Sequence, residues 1–267
     1  MTAQVQVAGR AASARRFDVV RDHPEWLVLL VSLAGWVWLG TALAGATSTP
    51  GAQAGHAGHQ HGPVQGDPFA LAGASGSAAM AVAPVFAAHL GVWLAMTIAM
   101  MLPTTVPHVR YIGFAVRESR RQRAILWFGF GYLVVWLAPG MLLAVLPPAP
   151  PMAVAIAVLV AGAWEWTPVK RRMLRRCCRT WPVRYAGPAS DASALEYGIR
   201  HGMTCLAVSG PAMAALMLAG HPWWATAALT VLMAAQKLLS APDRWRTPVA
   251  IGWLAGGVAL TGFVISG

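Results

Sequence analysis

The chain has 267 residues, of which 57% are hydrophobic and 11% charged, and its formal net charge is +11. A soluble domain carries about 25% charged residues, so the composition excludes a soluble catalytic domain and describes one membrane-embedded unit. The positive charge is not a nucleic-acid footprint, because the basic residues fall in short loops beside apolar runs, where they meet anionic lipid head groups.

Residues 1–24 read as a basic cytosolic tail with Arg10, Arg15, Arg16 and Arg21. Residues 25–267 read as a single transmembrane helical domain. Its first apolar run covers roughly 26–46. Arg15-Arg16 before that run and Ala42-Leu43-Ala44 at its end resemble an export signal with a cleavage site. A run of about 20 residues exceeds the 7–15 of a signal core, so a retained first helix is expected.

Residues 47–80 are rich in Gly, Ala, Ser and Pro and cannot bury enough apolar surface to order themselves. A mobile outside loop is expected. Within it, His56-x-x-His59-x-His61 places three imidazoles on pliable chain, which can close on Cu(II) or Zn(II). A polar low-complexity linker reads the same way.

The second span, at roughly 82–102, lies between Pro84 and Pro103. Met96 and Met100 are four apart and share one helix face. The third span, at roughly 125–146, carries Gly129 and Gly131, small enough for close helix approach. The stiff run Pro147-Pro148-Ala149-Pro150-Pro151 should make the third and fourth spans antiparallel neighbours.

The fourth span, at roughly 150–168, ends in Trp164-Glu165-Trp166-Thr167-Pro168. Glu165 beside Lys170 and Arg171 reads either as an interfacial ion pair or as a ligand or proton-linked carboxylate. Cys177 and Cys178 follow in an arginine-rich cytosolic loop. The arginines should lower their thiol pKa, and the pair can take or release Cu(I).

The fifth span, at roughly 199–219, opens with His201 and Cys205, again four apart, and is interrupted by Pro211, where a kink is expected. Spans at roughly 223–239 and 248–265 complete the set. His221-Pro222-Trp223-Trp224 suits an aromatic belt.

Alternate threading of these seven spans puts all 20 Lys and Arg residues on one side. The positive-inside rule then predicts an all-α polytopic bundle of about seven transmembrane helices, N-terminus inside and C-terminus outside. No cysteine falls outside, so no structural disulfide is expected there.

This threading brings soft ligands to matching depths. Met100 and His201 lie about two residues from the cytosolic ends, and Met96 and Cys205 about six, near 9 Å at 1.5 Å per residue. Thioethers, thiolate and imidazole together suit Cu(I). Each residue also has a plain packing role: Met as gap-filler, Cys as small hydrophobe, His as interfacial residue. No nucleophile elbow, phosphate loop or metalloprotease motif occurs, and no acid, base and nucleophile set assembles, so an enzyme is not expected.

Three stretches resemble the bacterial family of predicted metal-binding integral membrane proteins, linked with copper delivery to oxidases of the tyrosinase kind. They are Trp93-x-x-Met96-x-x-Ala99-Met100-Met101-x-Pro103, Thr167-Pro168-Val169-Lys170 with a Cys and Arg cluster, and Gly198-x-x-His201-Gly202-x-x-Cys205 continuing to Ala215-Leu216-Met217 and Gln236-Lys237. The chain departs from that family's pattern at Val208-Ser209-Gly210-Pro211, where a Gly-Cys-Cys-Trp run is usual, at Met173 in place of Cys, and at Gln236 in place of Glu.

The resemblance implies a copper-handling accessory protein of the bacterial inner membrane. Cu(I) would sit among Met96, Met100, His201 and Cys205. The recipient would be a copper oxidase or its assembly factors. Beside the resemblance, which starts after the His-rich loop, the loop reading has His56, His59 and His61 collecting metal outside, as Cu(II). A metal or small-solute transporter and a metal-free structural subunit are the alternative readings.

Overall fold

The structure is a computed structural model and describes residues 23–47, 78–146, 149–220, 222–238, 244 and 246–266. The described residues form helices and no strand, as the hydropathy pattern requires. In chain order these are α1 (Trp26–Thr47), α2 (Ala78–Met101), α3 (Val106–Ala115), α4 (Arg121–Val145), α5 (Pro151–Trp166), α6 (Pro168–Cys177), α7 (Pro188–Leu218), α8 (Trp223–Leu238) and α9 (Arg246–Ser266).

Among the described residues, four stretches are long and apolar enough to cross a membrane: Phe86–Ala115, Glu118–Val145, Pro188–Leu218 and Thr247–Ile265. A fifth results if α5 and α6, which meet at an angle of 72°, count as one broken span.

Proline sets the break below α2. Pro103 has no N–H to donate, so the α-helix gives way to a tight turn, Leu102–Thr105, before α3 resumes. Two hydroxyls cover local carbonyls there: Thr104 Oγ1 donates to Met101 O and Thr105 Oγ1 to Leu102 O, each at 2.7 Å. α3 therefore continues the chain past α2 and carries His108 into the bundle, where it is buried.

Close helix packing holds the bundle together. The main seam joins α4 to α7. A Cβ at Gly198 would stand 2.1 Å from Phe128 O, and one at Gly131 would stand 2.6 Å from Leu195 O. Only glycine permits that backbone approach. Gly129, two residues from Gly131, has nothing within 4 Å and takes no part.

This seam overturns one expectation. α4 and α5 do not pack along each other despite their short proline-rich connection. α7 lies against both, and α5 runs along α9 instead. A short loop fixes how far apart two helix ends can be. The fit of glycine against backbone decides which flanks meet.

α7 is continuous through Pro211. The proline leaves Ala207 O without its usual amide donor, and Trp164 Nε1 from α5 donates to that oxygen at 2.9 Å. At the start of α7, Arg120 and Arg123 hold Asp191 at 3.0 and 2.8 Å. An acidic residue in the first turn also complements the helix dipole.

α6 is a short amphipathic helix. Lys170, Leu174 and Cys177, spaced i, i+4 and i+7, are buried, while Arg171, Arg172, Arg175 and Arg176 face outward. Thr167 caps it by accepting from Lys170 N at 3.2 Å. The expected cytosolic loop around Cys177 is thus a helix docked on α7.

Candidate metal centre

The functional candidates gather where the turn after α2, the end of α6, α7 and the end of α8 converge. Cys205 on α7 is fully buried, and donors surround its sulfur. Tyr132 Oη on α4 shares a hydrogen bond with Cys205 Sγ at 3.1 Å. Lys237 Nζ on α8 donates to the same sulfur at 2.9 Å and to Met101 Sδ at 3.4 Å. The Cys177 thiol, on the buried face of α6, interacts electrostatically with Cys205 as well. An ammonium donor and a hydroxyl partner at one sulfur suit a thiolate.

One turn earlier on α7, His201 is buried and its ring stacks on Tyr132 with centroids 5.6 Å apart. His201 Nε2 has no hydrogen-bond partner. Buried imidazole nitrogens are normally satisfied, so an unpartnered one calls for an explanation such as strain or a ligand role. The ring of His108 lies beside it, with centroids 4.0 Å apart. His108 Nδ1 and Tyr197 Oη share a hydrogen bond at 2.6 Å, and the His108 ring also bonds the backbone of Cys177. Two thiols, two imidazoles and the Met101 thioether therefore belong to one connected cluster.

Met96 and Met100 are fully buried in the same core as Cys205. α2 and α7 do not run along each other. Lys237 is what bridges them, and its α2 partner is Met101. His56, His59 and His61 lie outside the described residues. Among the described residues, no three His, Cys, Asp or Glu side chains converge as a metal cage. The soft donor set is accordingly built from pairs, thiol with thiol and imidazole with imidazole, supplemented by thioether.

A second charged cluster flanks the first. Lys170 and Glu165 form an ion pair in which both side chains are buried, and Gln236 Nε2 donates to Glu165 Oε2 at 3.1 Å. Glu165 thus sits inside the protein rather than at the lipid interface. Its pair ties the bend between α5 and α6 to the residue adjoining Lys237.

Cys178 differs from its neighbour. Its side chain is exposed, and its Sγ donates to Lys237 O at 3.8 Å. Partial burial at the helix end holds this thiol above its ordinary range, outweighing the Lys237 charge. The lowering expected from the arginines does not occur, because desolvation is the larger effect on this thiol.

Sequence reasoning places His201 and Cys205 at one end of the fifth span and names Cys177 as a Cu(I) thiol, but it assigns no role at this site to Tyr132, His108 or Lys237. The hydropathy reading puts Cys177 in a loop, and Tyr132 and His108 carry no motif. The spacing of Lys170, Leu174 and Cys177 was the available signal for Cys177.

A cavity of about 860 Å3 lies between α5, α7, α8 and α9, lined by Val158, Leu216, Leu229, Trp253 and Phe263 among others. Its walls offer no ligand to an ion.

A family model described as a copper chaperone, PpoB2, matches residues 90–260. No curated protein and no solved structure matches the chain. The matched region contains every residue of the sulfur and imidazole cluster, and the chain belongs to the PpoB2 copper-chaperone family.

Proposed function

We propose that the protein is a multi-pass membrane copper chaperone that holds Cu(I) as cargo at the Cys205 cluster and releases it to a copper oxidase or its assembly factors. The observation that carries this reading is the unpartnered, buried His201 Nε2 one turn from a sulfur surrounded by donors. Thiolate, thioether and imidazole select Cu(I) over hard divalent ions. Cys205 and Cys177 supply thiols, His201 supplies nitrogen with His108 behind it, and Met101 supplies thioether. Met96 and Met100 extend the thioether lining toward the outside.

The chain threads the bacterial inner membrane seven times, N-terminus inside, with its exposed arginines on anionic lipid. The cluster then sits at the cytosolic edge of the bundle. His56, His59 and His61 stand on the opposite side and collect metal there. The accessory role is non-catalytic, since the cargo leaves unchanged.

The test is copper analysis of detergent-purified protein under reducing conditions. Wild type is expected to retain copper, Cys177→Ser with Cys205→Ser to lose it, and Met96→Leu to lower retention. Unchanged copper in the double cysteine variant would remove the site. Vesicle assays separate a chaperone from a transporter: copper movement across sealed vesicles without a partner protein would favour transport.

A further inference from the structure

Lys237 faces two soft donors at once. Its ammonium donates to Cys205 Sγ at 2.9 Å and to Met101 Sδ at 3.4 Å, so one positive charge joins two soft donors from different helices. A lysine near the end of a membrane helix ordinarily extends its head group toward the interface. Lys237 lies one residue from the end of α8 and is half-buried as a whole residue. Its ammonium nevertheless turns inward onto sulfur. That choice gives up hydration and rotamer freedom, and a negatively charged sulfur compensates for both.

Resting on the copper reading above, we propose that Lys237 is a placeholder cation: its ammonium fills the metal position of the empty site, withdraws when Cu(I) enters between Cys205 and Met101, and returns as the metal leaves.

The charges balance. A monovalent ammonium is exchanged for a monovalent metal ion, Cys205 remains a thiolate throughout, and no proton is lost from Lys237. Distances also allow it. Metal–thiolate bonds are about 2.3 Å, so from 2.9 Å the Cys205 sulfur closes by roughly 0.6 Å. The backbone of α8 need not move, because Cys178 Sγ bonds Lys237 O and ties that helix end to α6. The exchange is a side-chain swing. Its benefit is a thiolate kept ready for metal and a competing cation that helps expel the cargo at transfer.

The chain has one other lysine, Lys170, which is buried against Glu165 and serves as an internal reference. Full-length protein in detergent is treated with methyl acetimidate, which modifies free amines, in the metal-free state and after anaerobic Cu(I) loading. Peptide mass spectrometry reads each lysine. The expected result is modification of Lys237 at least about tenfold faster in the loaded protein, with Lys170 unreactive in both; a tenfold change corresponds to roughly 1.4 kcal/mol.

Equal rates at Lys237 in the two states overturn the proposal. A second measurement follows Cu(I) transfer from Lys237→Leu to bicinchoninate, where release at least about tenfold slower than wild type is expected. Release at the wild-type rate or faster overturns the proposal as well. The copper reading is judged separately by Cys177→Ser with Cys205→Ser. Copper loss in that variant together with equal labelling at Lys237 leaves the site standing and removes the placeholder.

Discussion

At Lys170 and Glu165, a charged pair is buried where lipid or protein would have to replace water. Removing one partner strands the other charge, at a cost of about 3–5 kcal/mol. Lys170→Met is therefore expected to lower the melting temperature of the detergent-solubilised protein sharply. Glu165→Leu with Lys170→Leu should recover most of the loss. A single variant as stable as wild type would mean that the pair is solvated. The sequence placed Glu165 beside Lys170, and the pairing follows from five residues of separation across a Thr-Pro bend. Its depth was not legible, because hydropathy averages over the helix and cannot say which flank faces another helix.

Single residues also set the chemistry of Cys205. Tyr132 shares a hydrogen bond with its sulfur at 3.1 Å. Tyr132→Phe removes that bond and keeps the ring that stacks with His201. A net loss of about 1 kcal/mol of stability is expected, read as a small fall in melting temperature. Nothing in the sequence marked Tyr132, since an aromatic residue in an apolar helix is ordinarily core. The ligand-type pair His201 and Cys205 was visible because imidazole and thiol at i, i+4 are rare in lipid.

Among elements, α4 and α7 form the seam on which the site depends. They position Tyr132 on one side and His201 and Cys205 on the other. Gly198→Ala would drive a methyl group into the Phe128 carbonyl, 2.1 Å from the new Cβ. Overpacking of this kind costs about 1–3 kcal/mol or more when backbone must move. Loss of monodisperse protein on size exclusion is expected for Gly198→Ala. Gly129→Ala, with open space around it, should behave as wild type. If Gly198→Ala elutes and melts like wild type, the seam is looser than these contacts imply.

Helix boundaries were largely readable from apolar length and from Pro103, Pro151 and Pro168 at the breaks. Helix neighbours were not. The short connection after α4 pointed to α5, yet the glycines of α4 and α7 select each other. Residue spacing along α6 held the information that Cys177 faces inward. It was obscured by the surrounding arginines, which made the segment read as a solvated loop.

For the molecule as a whole, the sorting of basic residues supplies the proposed orientation. Reporter fusions at residue 60 are expected to report the outside and fusions at residue 180 the cytosol. Residue 60 in the cytosol would put the imidazole loop and the sulfur cluster on one face and end the idea of collection and release on opposite sides. The match over residues 90–260 begins after the His-rich loop. Deleting residues 52–66 is accordingly expected to slow copper acquisition from outside while leaving Cu(I) held by purified protein intact.

The most direct measurement is copper K-edge X-ray absorption on the full-length protein, loaded with one equivalent of Cu(I) under reducing conditions. An edge typical of Cu(I) with a sulfur shell near about 2.3 Å is expected, accompanied by a nitrogen contribution that disappears in His201→Ala. A copper shell made only of nitrogen and oxygen, unaffected by replacing Cys205, would contradict a thiolate-centred cargo site.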